Sequence, residues 1–213
     1  MKNLILIGMP VHGNIFPQTV ADLIALSGAI EYPAKIHFQS NCYVHDARNK
    51  IAREALAIGA EYLMFIDADM SFPPDGVNRL VADDKDIVGG VYYRRQKPHL
   101  PTFSVLDGKK MVIPDQFPKD ELFEVFGLAT GFMLIKTKVF KKIKPPWFYF
   151  GNFHGKPMGE DTYFCWKAKK AGFEVWADPT IPLGHIGEYL YDAQDYQAYK
   201  ENKTVEIEFT GEL

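Results

Sequence analysis

The sequence predicts an α/β fold in which helices cover both faces of a mostly parallel central sheet. Short apolar runs alternate through the first half of the chain with stretches whose apolar residues recur at helical spacing. The run Tyr62–Ile66 is apolar at every position, which is typical of a strand buried on both faces of a parallel sheet. These two observations favour a single domain built around one sheet.

The composition limits the classes of function. With 47% hydrophobic and 24% charged residues, the 213-residue chain can bury a sizeable core. A net charge of −3 argues against a nucleic-acid partner, because no excess of cations replaces the counterions of phosphates. Cys42 and Cys165 have neither metal-site nor disulfide spacing, and the apolar run 4–9 is too short for a signal peptide or a membrane span. We therefore expect a cytoplasmic protein.

The first half of the chain predicts a β-α-β-α-β unit, which is half of a nucleotide-binding sheet. Pro17 suits the first turn of the first helix, Asp46 is expected to cap the second, and Gly59 to end it. The predicted strands are 3–8, 34–39 and 62–66, and the predicted helices are 17–30 and 46–58. The second helix is expected to bury Ile51, Ala55, Leu56 and Ile58 and to leave outside that stripe Arg48, Asn49 and Arg53.

The second half predicts shorter elements around a loop-rich insertion over 97–124. Gly89 and Gly90 lie inside a predicted strand and suggest a bulge or a close backbone approach. Arg94 and Arg95 after it either neutralise phosphate or form a solvated edge, and 144–158 is either an irregular lid or the lining of a groove. Strands are predicted at 86–93, within 126–136 and at 173–177. Helices are predicted to end at 81, to span 137–143 and to begin at 160. A further helix and a further strand are predicted within 188–213.

Two aspartates, Asp67 and Asp69, directly follow the buried run Tyr62–Ile66. In open α/β sheets, ligands bind at the carboxyl ends of the strands. Carboxylates there can chelate Mg²⁺ or Mn²⁺, and the shared cation would hold a diphosphate that bare carboxylates repel. The alternative is a pair of solvated loop acids, but the preceding apolar residues favour the cation site because they place the pair at a strand end.

Further candidate residues come late in the chain. Glu160 and Asp161 occupy the first turn of a predicted helix, as plain caps or as a general base that binds an acceptor hydroxyl. His185, between Gly184 and Gly187, is either a core histidine or a ligand that completes the metal site, since neutral imidazole suits Mn²⁺.

The order of these motifs resembles the GT-A glycosyltransferases over residues 1 to about 187. The motifs are the Arg48-Asn49 helix, the strand ending in Asp67-Ala68-Asp69, the ATGFML strand, the Gly159-Glu160-Asp161 helix and His185. More narrowly, the sequence is similar to the amino-terminal domain of chlorella-virus glycosyltransferases that act on the glycan of the major capsid protein. The resemblance implies a GT-A fold with a small acceptor-side lobe, a nucleotide-sugar half over about 1–95, an acceptor half over about 96–187, and a helix and strand over 188–213.

The resemblance also implies the substrates and the roles of single residues. It implies a UDP-sugar donor carrying glucose or rhamnose, a glycan acceptor, Mn²⁺ (or Mg²⁺) as cofactor, and the host cytoplasm as location if the chain is viral. It assigns donor binding to Pro10, His12, Arg48, Asp67, Ala68 and Asp69, metal binding to Asp67, Asp69 and His185, and the acceptor-side carboxylate to Glu160 or Asp161. Retention is favoured, with the leaving phosphate taking the proton, whereas an inverting enzyme would use Asp161 as the base. Where the family often has an aspartate that contacts uracil, this chain has Ser40 and Asn41.

Three other functions are compatible with parts of the pattern. An aspartate-nucleophile phosphatase also has D-x-D after a strand, but there the motif normally begins the fold. A sugar-nucleotide pyrophosphorylase would need a glycine-rich basic loop after the first strand, and the segment MPVHGNIFP lacks one. A non-catalytic carbohydrate-binding module would not require the intact acids.

Overall fold

The computed structural model describes residues 3–153 and 155–187. Strands and helices alternate over the first half of the chain as the sequence predicts, and short strands predominate in the second half. The predicted helix and strand of 188–213 lie outside the described residues. The strands are β1 Ile5–Pro10, β2 Ala34–Gln39, β3 Tyr62–Ile66, β4 Met70–Ser71, β5 Ile87–Gly90, β6 Phe103–Asp107, β7 Lys110–Val112, β8 Phe123–Val125, β9 Gly127–Leu128, β10 Phe132–Lys136, β11 Gly151–Phe153, β12 Lys156–Met158, β13 Val175–Asp178 and β14 Gly184–His185. The helices are α1 Pro17–Ala29, α2 Val44–Ala57, α3 Gly76–Ala82, α4 Lys138–Lys142 and α5 Glu160–Lys170.

A seven-stranded sheet in the order β2-β1-β3-β10-β5-β13-β8 forms the centre of the molecule. β1 pairs in parallel with β2 and β3, and β5 pairs in parallel with β13. β10 is antiparallel to both of its neighbours, β3 and β5, and β8 is antiparallel to β13. The predicted α/β class is confirmed, but a mostly parallel sheet is not, because the pairings are mixed.

Two hydrophobic cores, one on each face of this sheet, hold the helices in place. Strand residues alternate between the faces, so neighbours such as Leu63 and Met64 belong to different cores. Leu63 packs with residues of α2, α4 and α5, whereas Met64 packs with residues of α1 and α3. The expectation of helices on both faces is met, and it explains why β3 is apolar at every position.

Helix α2 differs from its prediction at both its start and its buried face. It begins at Val44, so Asp46 lies in the first turn rather than at the N-cap, where Tyr43 makes no side-chain cap. Arg48 and Asn49 were expected outside the buried stripe, yet they are only 4% and 5% exposed. Their polar groups form hydrogen bonds with partners elsewhere in the chain, and these bonds offset the cost of removing them from water. Arg53 is exposed, as predicted.

The two glycines of β5 allow the close approach that the sequence suggested. A Cβ atom on Gly89 would lie 2.6 Å from the carbonyl oxygen of Phe132, and one on Gly90 would lie 2.4 Å from Leu183 Cδ1. Both distances are shorter than van der Waals contact, so any larger residue would displace a neighbour. Glycine here lets β10 and the 181–187 segment pack against β5.

Candidate functional site

The turn after β3 is held from three sides at the carboxyl edge of the sheet. The Asp67 amide donates to the Gly131 carbonyl at 2.9 Å, and the Ala68 carbonyl accepts from the Phe16 amide at 3.0 Å. The Asp69 carbonyl accepts from the Ile186 amide at 2.7 Å. β4 and β14 pair just beyond this turn, with His185 opposite Met70. The chain therefore brings His185 to the aspartates across more than a hundred residues of sequence.

A cavity of about 350 Å³ opens at this edge, and we call it the site cavity. That volume is within the range of small-molecule sites. Its lining includes Pro10, His12, Asp67, Ala68, Asp69 and Arg95. Five of these six were candidates from the sequence, whereas Arg95 was left open between phosphate binding and a solvated edge.

Asp69, Arg95 and His185 form what we call the outer cluster. Asp69 Oδ2 lies 3.0 Å from Arg95 Nη1 and 3.5 Å from His185 Nε2. Burial raises the pKa of Asp69, but the hydrogen bond and charge of His185 and the charge of Arg95 outweigh it, so that the pKa is lowered overall. The hydrogen bond to Asp69 raises the pKa of His185, against the opposing effect of burial. Asp69 is therefore held as an anion at the cavity wall.

The other ring nitrogen of His185 determines which tautomer is available for a ligand. His185 Nδ1 lies 3.0 Å from the carbonyl oxygen of Tyr93, which can only accept, so Nδ1 carries the hydrogen. In the neutral ring Nε2 is then unprotonated, and it faces Asp69. Metal-binding histidines commonly donate from their second nitrogen in this way.

Arg48, Asp67 and Glu160 form what we call the inner cluster, of which only Asp67 lines the site cavity. Arg48 Nη2 lies 3.0 Å from both carboxylate oxygens of Asp67, and Nη1 donates to Glu160 Oε1. Burial lowers the pKa of Arg48, but the charges of Asp67, Glu160 and Asp161 raise it overall. Burial raises the pKa of Glu160, with Arg48 opposing the rise and Asp161 adding to it. The arginine thus joins the turn after β3 to the start of α5.

The two acids at the start of α5 have different surroundings. Glu160 is paired with Arg48, and its side chain is 13% exposed. Asp161 Oδ1 accepts from the amide and the hydroxyl of its neighbour Thr162, at 2.6 and 3.3 Å. Asp161 Oδ2 makes no hydrogen bond to any described residue. Neither acid lines the site cavity, and neither does Arg48, which was expected to approach the base or ribose. The predicted metal ligand His185 does not line it either and is connected to it through Asp69.

The sequence did not single out Tyr92, which lies beneath the site. Its side chain is 4% exposed, and its hydroxyl accepts from the Gly131 amide at 3.1 Å. Its ring contacts His185 edge to face, with 5.2 Å between centroids. Burial, with the charge of Asp67, raises the pKa of Tyr92 far above its usual range, so it stays neutral. In the sequence, Tyr92 could be recognised only by its position at the end of a predicted apolar strand. An ordinary core residue has the same position, so the pattern does not indicate a site residue.

The fold and the site together define the class of protein. It is an α/β protein with an aspartate-histidine pair, Asp69 and His185, at the carboxyl edge of the sheet, where such folds bind ligands. Within residues 3–153 and 155–187, no group of three or more His, Cys, Asp or Glu side chains is arranged to hold a metal ion. Any cation on Asp69 and His185 would complete its shell with ligand or water oxygens. None of the described helices combines the length and apolarity that crossing a membrane requires.

Comparisons with known proteins bear on the fold. No protein-family model matches the chain, and no curated protein sequence matches it. Among solved structures, the crystal structure of A197 from STIV is similar, with a TM-score of 0.62 and 20% sequence identity over 86% of each chain. At this identity the likeness concerns the fold alone, and it supports the α/β architecture of nearly the whole chain.

Proposed function

We propose that this chain is a metal-dependent glycosyltransferase of the GT-A type. It would move a hexose or deoxyhexose, glucose or rhamnose, from a UDP-sugar to a glycan acceptor. The observation that carries the proposal is the placement of Asp69 and His185, with 3.5 Å between Oδ2 and Nε2, beside a cavity at the carboxyl edge of the sheet. The family resemblance supplies the nucleotide, the sugars and the capsid glycan as acceptor.

The residues at the cavity fit a divalent cation. Asp69 offers an ionised oxygen, and His185 offers Nε2 when its ring is neutral, with the ring orientation fixed by the Tyr93 carbonyl. A bound cation would replace the proton that Asp69 favours on this ring. A bound Mn²⁺ or Mg²⁺ would act as a Lewis acid that stabilises negative charge on the leaving diphosphate. Asp67 was also predicted to bind the metal, but both of its oxygens accept from Arg48. We therefore assign Asp67 to the cavity wall and the metal to Asp69 and His185.

The remaining residues of the cavity would bind the donor. Arg95 presents a guanidinium beside Asp69, and its side chain is 47% exposed, so it can turn towards a phosphate. Pro10 and His12 also line the cavity. A second cavity of about 570 Å³ shares His12 with the first and extends to Ser40 and Asn41. This extension offers hydroxyl and amide groups to a base in place of the missing aspartate.

The proton of the acceptor hydroxyl has two possible destinations. Asp161 Oδ2 is not hydrogen-bonded to any described residue, which suits a general base in an inverting reaction. Glu160 is the weaker candidate, because its carboxylate is already paired with Arg48. In a retaining reaction the leaving phosphate takes the proton. The resemblance favours retention, and the stereochemistry of the product, read by NMR, decides between the two.

Donor hydrolysis and calorimetry together test the proposal. We expect UDP to bind only when Mn²⁺ or Mg²⁺ is present, and a UDP-sugar from a panel of UDP- and GDP-sugars to be hydrolysed. Asp69→Asn should abolish both, whereas Asp115→Asn, at an exposed acid, serves as the matched control. Full turnover in excess EDTA, or GDP binding at least tenfold tighter than UDP, would contradict the metal or the donor assignment.

The same panel separates the alternatives. A pyrophosphorylase would form a nucleotide-sugar from a nucleoside triphosphate and a sugar phosphate, and a phosphatase would hydrolyse simple phosphomonoesters. A non-catalytic module would bind glycan without turnover. The β-α-β-α segment that precedes Asp67 disfavours the phosphatase, in which D-x-D begins the fold.

A further inference from the structure

Aromatic side chains form a connected surface that runs from the rim of the site cavity along α5. We call it the aromatic shelf and define it as Tyr43, His45, Tyr149, Phe150, Tyr163 and Trp166. In one arm the ring centroids are 5.9 Å apart for Tyr43 and His45 and 5.2 Å apart for His45 and Phe150. In the other arm they are 5.8 Å apart for Tyr149 and Tyr163 and 5.7 Å apart for Tyr163 and Trp166. Tyr149 and Phe150 are consecutive in the chain and join the two arms.

The middle and one end of the shelf are unusually exposed. Tyr43 is 78% exposed, Tyr149 52% and Phe150 55%. Single exposed apolar residues are common, but a connected group of them marks a binding surface. Tyr43, Tyr149 and Phe150 therefore have ring surface that is available to a partner.

Hydrogen bonds hold the backbone on both sides of the shelf. Asn49 Oδ1 accepts from the amides of Trp147 and Phe148 at 2.9 and 3.2 Å, and its Nδ2 donates to the Phe148 carbonyl at 2.7 Å. Both aromatic residues are buried, so the next two residues must emerge at the surface. Lys167 Nζ fixes the other side by donating to the carbonyls of Lys144 and Pro146. A surface ordered before binding costs a partner less ordering entropy.

The shelf is continuous with the site at both arms. Tyr43 stands between Cys42 and Val44, which line the site cavity. Tyr163 lies on α5, two residues after Asp161, and packs so closely on Gly151 that a Cβ there would be 2.6 Å from its ring. A molecule lying on the shelf would therefore reach both the cavity and the start of α5.

We propose that the aromatic shelf binds the acceptor as an oligosaccharide that extends away from the reacting sugar, an inference that rests on the proposed function. The C–H faces of sugar rings carry a small positive charge that matches the negative faces of aromatic rings. Four ring-to-ring steps, each longer than 5 Å, exceed the length of a single sugar. Lys170 Nζ lies 4.1 Å from the centroid of the Trp166 ring, where its ammonium group can bind hydroxyl oxygens.

Binding of defined oligosaccharides tests the shelf separately from the donor site. The probes are linear hexasaccharides of glucose, mannose, xylose and N-acetylglucosamine, measured by saturation-transfer NMR and titration with the whole chain. At least one should bind, and Tyr149→Ala and Phe150→Ala should each weaken it by roughly three- to tenfold, the size of one aromatic contact. Phe150→Tyr should keep the affinity, and Phe150→Leu should weaken it as much as Phe150→Ala, because leucine has no aromatic face. Phe38→Ala is the matched control, because Phe38 is 52% exposed on β2.

The outcomes separate this proposal from the proposed function. Hexasaccharide binding that Phe150→Ala weakens supports the shelf even where UDP with Mn²⁺ fails to bind, a failure that would overturn only the proposed function. If no hexasaccharide binds, or if Phe38→Ala weakens binding as much as Phe150→Ala, the shelf proposal is overturned. Self-association in sedimentation velocity that Phe150→Ala abolishes would assign the shelf to a second copy and also overturn it.

Discussion

The inner and outer clusters contain similar residues but differ in how their charges are compensated. In the inner cluster Arg48, Asp67 and Glu160 have side chains 5%, 26% and 13% exposed, and Arg48 pairs with both acids. In the outer cluster the side chain of Arg95 is 47% exposed, and its partner Asp69 is shared with His185. Asp67 and Asp69 both line the site cavity, yet Asp67 pairs with the buried Arg48 whereas Asp69 pairs with the half-exposed Arg95.

The difference predicts how each cluster responds to substitution. Removing one partner of a buried ion pair leaves an uncompensated charge and costs about 3–5 kcal/mol. Exposed pairs are worth about 0–1 kcal/mol, because water screens them and solvates either partner alone. Substitutions in the inner cluster should therefore lower stability, and those in the outer cluster should lower ligand affinity.

The largest expected effect is that of Arg48→Met. It removes the cation shared by Asp67 and Glu160, so we expect the free energy of unfolding to fall by about 3 kcal/mol or more. Urea unfolding followed by circular dichroism measures it. Arg53→Met, at an exposed arginine of the same helix, should change stability by less than about 0.5 kcal/mol. Equal stability of the two variants would remove the distinction between the clusters.

Asp161→Asn tests whether one acid of α5 serves the reaction while the other, Glu160, stabilises the fold. If Asp161 is the acceptor-side base, transfer should fall by about 10²-fold while UDP affinity stays nearly constant. Glu160→Gln should instead lower stability, because Arg48 loses an anionic partner. Steady-state kinetics and calorimetry give both quantities. A parallel loss of UDP affinity in Asp161→Asn would indicate a structural cap.

His185→Ala tests the outer cluster. The affinity for Mn²⁺ in the presence of UDP should fall by roughly 10- to 100-fold, with little change in melting temperature. His37→Ala, at a half-buried histidine of β2, should leave Mn²⁺ affinity unchanged. Unaltered affinity in the folded His185→Ala variant would make His185 a packing residue.

The smallest expected effect concerns an acid that lacks a cation in direct contact. Burial, with the charge of Asp178, raises the pKa of Asp83 from 3.8 to about 6, and its Oδ2 is buried without a hydrogen-bond partner among the described residues. The folded state binds this proton more tightly than the unfolded state, so stability falls as the pH rises from about 4 through 6.

Asp83→Asn removes this titration. Because Asp83 is partly exposed, solvent reduces the gain to about 1 kcal/mol at pH 8, and we expect no difference near pH 4. Urea unfolding at the two pH values measures it. A variant less stable than the wild type at pH 8 would show that the carboxylate makes a favourable contact there.

Local pattern was enough to predict much of the fold and part of the site. β2 and β3 have the predicted bounds, α1 ends one residue early, and the aspartates lie at the end of β3. Glu160 and Asp161 are in the first turn of α5, and Gly59, with φ +69°, follows the end of α2. These features depend on residues close together in the chain, whose spacing the sequence displays.

Features that depend on distant partners could not be predicted in the same way. The burial of Arg48 requires an acid 112 residues away, and that of Asn49 requires a backbone segment about 99 residues away. An isolated helix would turn both polar residues to water. The direction of β10 was also hidden, because an apolar strand has the same pattern whichever way it runs. The role of Arg95 could not be predicted for a related reason, because its partner Asp69 belongs to another loop.

The position of β10 has a consequence for how the protein is made. β10 separates β3 from β5, so neither strand has its inner neighbour until residues 132–136 have left the ribosome. Until then the nascent chain exposes the open edges of two apolar strands, which are the parts of a sheet most prone to join other chains. We therefore expect the segment 1–95 alone, although it carries Asp67, Asp69 and Arg95, to leave the inner edges of β3 and β5 unpaired. The central sheet becomes continuous only when β10 pairs with both β3 and β5.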